Sequence, residues 1–233
     1  MNLVTVIPAR GGSKSIPFKN IKLLNGEPLI SYSINYSLKC PLISHTVVST
    51  DSDEICSIAK EFNAQVPFIR PVEISGDDVE DYPVIYHALN NIETIYGLRV
   101  DAIVWLRPTS PLRPPNLIER SMKILKSFPE CSSIRSVIKS KEHPYRQWAQ
   151  NGPFIEGVIQ NKDINEPFNL PRQKLPDIYF QSGDIEVIKR ETIIKGSISG
   201  DKVVPLIINQ NEMLDIDHFD DLKIAEKKLF DDK

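Results

Sequence analysis

Short apolar runs alternate with amphipathic stretches along most of this chain of 233 residues. The apolar runs are rich in β-branched residues, which is typical of strands buried on both faces of a parallel sheet, and the longer stretches have a helical period. One helical stretch follows a capping residue, Asp51 or Ser52. The pattern predicts strands at 3–9, 46–50, 65–69, 102–106, 132–138, 179–189 and 203–208 and helices at 28–38, 52–62, 82–96, 115–128 and 219–230.

Strands that alternate with helices favour an α/β fold, with a mainly parallel, Rossmann-like sheet that carries helices on both faces. At this length we expect a single domain over residues 1–233. Residues 139–176 depart from the alternation, because turn-forming proline, asparagine and glycine occur there with weak periodicity. A long irregular segment inside a compact domain usually carries function or an interface, so we treat 139–176 as an excursion from that domain.

The first predicted strand runs directly into a basic, glycine-containing loop from Arg10 to Asn20. Its adjacent glycines, Gly11 and Gly12, allow backbone N–H groups to approach an anion closely, while one arginine and two lysines supply positive charge. The loop also follows the carboxyl end of a strand, where open α/β sheets bind their ligands. We therefore predict a phosphate site here, although neither a complete P-loop sequence nor a G-x-G-x-x-G motif is present.

Composition narrows the possible classes of function. A net charge of −3 gives no electrostatic support for nucleic-acid or membrane binding, and no apolar run reaches the length of a membrane span. The sequence has no secretory leader pattern, so we expect a cytoplasmic protein. Three cysteines and four histidines are scattered without metal-binding spacing, which argues against a disulfide framework or a zinc site.

Several short motifs are spread along the chain, and most of them lie at or after the ends of predicted strands. They are Pro8-Ala9-Arg10-Gly11-Gly12-Ser13-Lys14, Lys19-Asn20, Ser49-Thr50-Asp51, Arg70-Pro71, Pro108-Thr109-Ser110-Pro111-Leu112-Arg113, Pro171-Arg172-Gln173 and Asp215-Ile216-Asp217. In this order and spacing they resemble the acylneuraminate cytidylyltransferase family over nearly the whole chain. Members of that family make CMP-sialic acid and related CMP-nonulosonates.

The resemblance implies a nucleotidyltransferase fold and a cytidylyl transfer. A hydroxyl of a 2-keto-3-deoxy sugar acid would attack the α-phosphate of CTP, giving a CMP-sugar and pyrophosphate, with Mg²⁺ as the cofactor. By motif match, Arg10, Lys14 and Lys19 are the expected catalytic cations. The residues expected to bind the nucleotide are Ala9, Arg10, Gly11, Lys14, Asn20 and Arg70.

The resemblance further implies that Asp215 and Asp217 bind the metal. Two carboxylates one residue apart in an extended segment point to the same side, which suits a hard cation that prefers oxygen ligands. Aspartate is also a leading N-cap residue, so spacing alone leaves open whether Asp217 caps the final helix, binds metal or does both.

The resemblance also implies which residues bind the sugar acid. Arg172, in the Pro-Arg-Gln motif, would bind its carboxylate, since a guanidinium can hold a carboxylate through two hydrogen bonds. In the family, the segment that corresponds to 139–176 reaches over a partner subunit, which implies a homodimer with shared sites. The other expected sugar-binding residues are Arg107, Gln173, Ser182 and Asp184.

One residue and one stretch depart from the sialic-acid branch of that family. Arg107 replaces a usual glutamine, and the stretch from Gln181 to Glu186 replaces one that reads roughly Asn-Gly-x-Ile-Tyr. Arg107 could pair with Asp184 or Glu186, and we expect an acceptor other than plain N-acetylneuraminate. For Arg113 two roles stay open, closing the triphosphate side or capping a helix.

Two alternative functions are compatible with the same residues. The fold could act on 3-deoxy-octulosonate or on another sugar with a different nucleotide. The chain could also be a catalytically silent subunit that binds a nucleotide or sugar, although retention of the basic loop and of both aspartates argues against that role.

Overall fold

The fold is built from strands and helices that alternate along the chain, in a computed structural model that describes residues 1–160, 163–209 and 214–231. The strands are β1 (Leu3–Pro8), β2 (Leu23–Leu24), β3 (Glu27–Pro28), β4 (Ile43–Ser49), β5 (Ala102–Trp105), β6 (Ser133–Lys139), β7 (Trp148–Asn151), β8 (Phe154–Gly157), β9 (Tyr179–Lys189) and β10 (Val203–Ile207). The helices are α1 (Leu29–Leu38), α2 (Asp53–Glu61), α3 (Asp81–Tyr96), α4 (Leu117–Ser127), α5 (Arg190–Ile194) and α6 (Phe219–Asp231).

A six-stranded central sheet has the strand order β10-β6-β9-β5-β1-β4. Strand β1 runs parallel to β4 and β5, and β10 runs parallel to β6. Strand β9 is antiparallel to both of its neighbours, β5 and β6. The expectation of a mainly parallel α/β sheet is confirmed, and β9 runs opposite to the other described strands of this sheet.

Helices cover both faces of the sheet. Successive side chains of each strand point to opposite faces, so an apolar strand has buried side chains to pack against helices on each side. In β5, Val104 packs in one apolar cluster, while Ile103 and Trp105 pack in another. The first cluster includes buried residues of α1, α2 and α4, and the second includes the buried face of α3. Complete burial of one large apolar side chain contributes about 1.5–3 kcal/mol to the free energy of folding. The core on both faces therefore stabilises the sheet from whose strand ends the loops extend.

A third apolar cluster attaches the C-terminal helix α6 to the β2–β3 hairpin. Leu222 and Ala225 of α6 pack with the buried Leu24, Leu29 and Ile216. Because Ile216 separates the two predicted metal ligands in the sequence, this packing fixes the segment that carries both carboxylates.

Most predicted elements agree with the structure to within a few residues. The segment 65–69 was wrongly predicted as a strand, because Gln65 forms only an isolated bridge with Val47. Ser52 caps α2, since its Oγ accepts a hydrogen bond from the N–H of Ile55 at 3.4 Å. None of the helices within the described ranges is long and apolar enough to cross a lipid bilayer.

The excursion, 139–176, contains a short antiparallel hairpin, β7–β8. Its residues 161–162 lie outside the described part of the chain. This hairpin was not predicted, because strands of four residues are too short to show a clear period. Phe154 is 73% exposed and Ile155 is 61% exposed. The hairpin therefore presents apolar side chains to the outside.

Candidate active site

A cleft of about 370 Å³ lies where the basic loop, the segment before α3 and the loop after β5 come together. This is the carboxyl end of the parallel strands β1 and β5, as the sequence predicted for a phosphate site. Predicted site residues that line the cleft are Arg10, Lys14, Lys19, Asn20, Arg70 and Arg107.

Backbone hydrogen bonds set the path of the basic loop. The N–H of Ala9 donates to the carbonyl of Ser49 at 2.9 Å, and the N–H of Gly11 donates to Oδ1 of Asp51 at 2.8 Å. A side chain at Gly11 would place its Cβ 3.1 Å from Cβ of Ser52, which is tighter than ordinary contact. Ala9 and Gly11 therefore have clear roles in shaping the loop, and contact of either with a nucleotide stays a prediction.

Two of the predicted catalytic cations share one carboxylate. Arg10 Nη1 lies 2.5 Å from Oδ1 of Asp77, and Lys14 Nζ lies 3.1 Å from Oδ2 of the same residue. Both ion pairs lower the pKa of Asp77, with the hydrogen bond from Lys14 as the largest cause. Asp77 was not among the predicted site residues, although the acidic stretch from Glu73 to Asp81 was a signal for charge at this position.

Asn20 and Arg70 are held in place by hydrogen bonds to the backbone and side chains around the cleft. Asn20 Nδ2 donates to the carbonyl of Arg10 at 2.9 Å, which closes the basic loop on itself. Arg70 is 5% exposed, and its guanidinium donates to the hydroxyl and the carbonyl of Ser49. Burial lowers the pKa of Arg70 to about 10, so the side chain is still a cation at neutral pH. It presents a fixed positive charge at the end of β4.

The third predicted catalytic cation, Lys19, lies beside the predicted metal ligands. Lys19 Nζ donates to the carbonyl of Ile216 at 3.0 Å and to Oδ1 of Asp217 at 3.1 Å. The N–H of Ile216 donates to the carbonyl of Thr109 at 2.8 Å, which joins this segment to the loop after β5. Lys19 and Thr109, which both line the cleft, thus hold the Asp215–Asp217 segment next to it, although neither aspartate is in the described lining.

Asp215 carries an oxygen that is suited to a cation. Its Oδ1 is buried and has no hydrogen-bond partner among the described residues. Burial raises the pKa of Asp215, opposed by a hydrogen bond from Thr109. For Asp217, the alternative role as a helix cap has a competitor, because Oδ2 of Asp221 accepts the N–H groups of Asp217 and His218 where α6 begins.

Arg107 lies in the cleft between two carboxylates. Its Nη2 is 2.5 Å from Oδ2 of Asp81 and 3.0 Å from Oε1 of Glu186, and Arg135 approaches the other oxygen of Glu186 at 3.2 Å. Burial alone would lower the pKa of Arg107, but the two carboxylates outweigh it and raise that pKa. The predicted pairing with Glu186 is confirmed, and the pairing with Asp81 was missed.

Ser182 and Asp184 lie in an irregular part of β9. Gln181 pairs with Val137 and Glu186 pairs with Arg135, so residues 182–185 face Ser136 alone. Ser182 Oγ bonds the Oγ of Ser136 at 2.8 Å. Asp184 is 1% exposed, and burial raises the pKa of its carboxyl to about 6. Both side chains are buried and are absent from the described lining of the cleft, so sugar binding by either stays a prediction.

Arg113 takes neither of the two roles considered for it. It is 8% exposed, and its guanidinium donates to the carbonyls of Asp184 and Arg107 and to the hydroxyl of Ser33. Burial lowers the pKa of Arg113 to about 10, opposed chiefly by the charge of Asp184. The side chain therefore ties the irregular part of β9 to the loop after β5.

Arg172 and Gln173 line a different cleft, of about 580 Å³, on the excursion. Lys139, Lys141, His143 and Arg146 line it too, so it is strongly basic, and Lys139 is paired with Asp177 at 2.6 Å. The two clefts have no described lining residue in common. Within one chain, the structure does not bring Arg172 and Gln173 to the predicted phosphate site.

Comparisons with known proteins identify the family of the chain. A family model described as cytidylyltransferase matches residues 4–194. A CMP-N,N'-diacetyllegionaminic acid synthase of Legionella pneumophila is 30% identical over 231 residues, which cover 98% of this chain and 97% of that protein. A Campylobacter jejuni protein of the same name is 31% identical over 227 residues, covering 96% of this chain and 93% of that protein.

Among solved structures, a CMP:2-keto-3-deoxy-manno-octonic acid synthetase complexed with CTP superposes over 100% of both chains with a TM-score of 0.72. At 14% identity, this likeness concerns the fold. The family match and the full-length relatives carry the assignment further. The chain belongs to the cytidylyltransferase family and is a nucleotidyltransferase of the CMP-nonulosonate synthetase group.

Proposed function

We propose that the protein transfers CMP from CTP to a nonulosonic acid and releases pyrophosphate. The observation that carries the proposal is the gathering of three basic side chains in one cleft at the strand ends, with the Asp215–Asp217 segment held next to the cleft by Lys19. Arg10 and Lys14 share the carboxylate of Asp77 in this cleft, and Lys19 pairs with Asp217. This charge distribution suits a magnesium triphosphate better than it suits a neutral ligand.

In the proposed reaction, the anomeric hydroxyl oxygen of the acceptor forms a bond to the α-phosphorus of CTP. The bond from that phosphorus to the bridging oxygen breaks, pyrophosphate leaves, and the hydroxyl proton passes to solvent. Negative charge increases on the phosphate oxygens during this step, so cations already fixed around them stabilise the transition state. Arg10, Lys14 and Lys19 are the residues that we propose for this role.

Asp215 and Asp217 would hold the Mg²⁺ ion. The buried oxygen of Asp215, which has no hydrogen-bond partner among the described residues, fits a hard cation, and Asp217 supplies a second carboxylate nearby. No cluster of three or more potential ligands occurs in the described residues, which suits an ion held by two carboxylates with phosphate and water as its other ligands. When bound, the ion supplies positive charge to the phosphates.

The acceptor that we propose is a nonulosonic acid other than plain N-acetylneuraminate. Where a glutamine is usual, the cleft carries Arg107 paired with Asp81, which together present both donors and acceptors. The full-length relatives are named for N,N'-diacetyllegionaminic acid, so this sugar is the first to be tested.

We further propose a homodimer in which the Arg172 side chain of one chain serves the cleft of the other. The separation of the two clefts and the exposed apolar side chains of the excursion support it. A mixture of Arg172→Ala and Asp215→Asn chains tests the sharing directly. At an acceptor concentration far below the KM of the Arg172→Ala variant, mixed dimers would contain one intact site and gain activity over either variant alone, whereas sites built within single chains would show no gain.

Pyrophosphate release tests the reaction itself. Purified protein with Mg²⁺ is assayed with CTP, UTP, ATP or GTP against nonulosonic and 3-deoxy-octulosonic acids. We expect release with CTP and a diacylated nonulosonic acid. Equal use of N-acetylneuraminate would contradict the proposed acceptor, and nucleotide binding without pyrophosphate release from any pair would favour a silent binding subunit.

A further inference from the structure

We propose that Asp77 is an internal competitor of the nucleotide phosphates, which sets how strongly the enzyme binds CTP. Asp77 bridges Arg10 and Lys14 through different oxygens of one carboxylate, at 2.5 Å and 3.1 Å. A phosphate group that is to take these two cations has to compete with the carboxylate for them. The inference rests on the proposed function, since it assumes that Arg10 and Lys14 bind phosphate.

The position of Asp77 suits such a competitor. Its side chain is 32% exposed and lines the cleft, so a ligand that enters can replace it without disturbing the core. The residues on either side are held in place, because the N–H and Oγ of Ser75 donate to Val72 and Pro71, and Asp81 pairs with Arg107. A short movement between these two anchors is enough to withdraw the carboxylate.

The competition also favours ligands of high charge. Arg10 and Lys14 keep a carboxylate partner unless the incoming ligand offers more negative charge in the same place. A triphosphate or pyrophosphate does so, whereas the single phosphodiester of a CMP-sugar carries one negative charge. Asp77 is therefore expected to help discriminate CTP from the nucleotide product, and it gives the two cations a partner once the product phosphate has withdrawn.

The adjacent residue provides a matched control. Asp78 carries the same charge, is exposed, and forms no ion pair within the described residues. Asp77→Asn and Asp78→Asn remove the same charge from neighbouring positions, so a change in the general field of the cleft affects both variants. Only the first variant frees Arg10 and Lys14.

The deciding experiment is calorimetric titration of CTP with Mg²⁺, and of pyrophosphate, into the wild type and both variants. We expect Asp77→Asn to tighten the Kd for each ligand by about fivefold, as the loss of two partly exposed ion pairs predicts. Asp78→Asn should change either Kd by less than about twofold. Thermal unfolding of each variant serves as a check that the fold is intact.

Each other outcome overturns the inference. Equal tightening in both variants would assign the effect to general charge, and weaker binding in Asp77→Asn would make Asp77 a part of the binding site. Unchanged binding would show that its ion pairs do not oppose the ligand. Failure of the wild type to bind CTP and pyrophosphate would instead reject the proposed function, which keeps the two failures distinct.

Discussion

The cleft at the strand ends and the excursion, 139–176, differ in how their basic side chains are paired. In the cleft, Lys19 pairs with Asp217 and Arg107 pairs with Asp81, while the buried Arg70 donates to Ser49. On the excursion, Arg172 forms no ion pair with any residue that the structure describes, and strongly exposed apolar side chains lie nearby. The basic side chains of the cleft are held by partners within one chain, whereas Arg172 and the exposed apolar side chains of the excursion suit contact with another molecule.

Asp215→Asn is the strongest test of the cleft side of this comparison. The change keeps the shape of the side chain and removes the charge on the buried oxygen, so a metal would lose its best ligand. We expect the turnover rate to fall by about a thousandfold or more, since metal and charge stabilisation carry most of such a reaction. Steady-state pyrophosphate release measures the loss.

The matched control is Asp220→Asn, which removes an exposed carboxylate that pairs with Lys223 in the first turn of α6. It should retain nearly full activity. Turnover by Asp215→Asn within tenfold of the wild type would take Asp215 out of the proposed mechanism.

Arg172→Ala tests whether the excursion serves the sugar acid. Loss of a bidentate contact between guanidinium and carboxylate should raise the acceptor KM by about tenfold to a hundredfold and leave the Kd for CTP unchanged. Lys174→Ala is the control, because Lys174 lies in the same short turn outside the described lining of the basic cleft. A rise in KM of equal size in both variants would reduce the effect to loss of general positive charge.

Phe154→Asp tests the exposed hairpin as an interface between two copies of the chain. A buried charge in the interface should weaken the dimer by about tenfold or more in Kd, and activity should fall as the protein is diluted. Phe230→Asp is the control, since Phe230 is 80% exposed on α6, away from the hairpin. Light scattering that finds both variants with the wild-type mass at every concentration would contradict this use of the hairpin.

Gly11→Ala is the smallest change, and it tests how closely the basic loop approaches α2. The new methyl group would lie 3.1 Å from Cβ of Ser52, so the loop has to shift. We expect the free energy of unfolding to fall by about 1 kcal/mol. Gly12→Ala should be near neutral, since a Cβ there has nothing within 4 Å, and denaturant unfolding of both variants gives the comparison.

The sequence predicted those parts of the molecule that depend on the hydrophobic pattern of a single segment and on its place along the chain. The buried strands β1 and β5 could be predicted because short apolar runs rich in β-branched residues are typical of strands in a parallel sheet. Their carboxyl ends gave the correct position of the basic loop in the fold. The one false strand, 65–69, had the residues of a strand but pairs with its neighbour at a single bridge.

What the sequence could not predict depends on contacts between distant residues. Asp77 and Asp81 lie in and beside an irregular acidic segment, and only the folded chain shows that they face Arg10 and Arg107. The irregular stretch of β9 was read as continuous strand, although Gly183 inside the strand pattern is a signal for a bulge, and its φ of +79° lies in the left-handed region. The spacing of residues along the chain could not predict that Arg172 lies in a different cleft from the basic loop.

The place of β9 in the sheet has a consequence for the order of folding. Strands β5 and β6 follow one another in the sequence, yet β9 separates them in the sheet and is the described element that pairs with both. Until residues 179–189 are available, the sheet consists of two parts with unsatisfied edges, one with β1, β4 and β5 and the other with β6. During synthesis, these edges stay open until β9 emerges, and the slowest step of folding should be the closure of this long-range pairing.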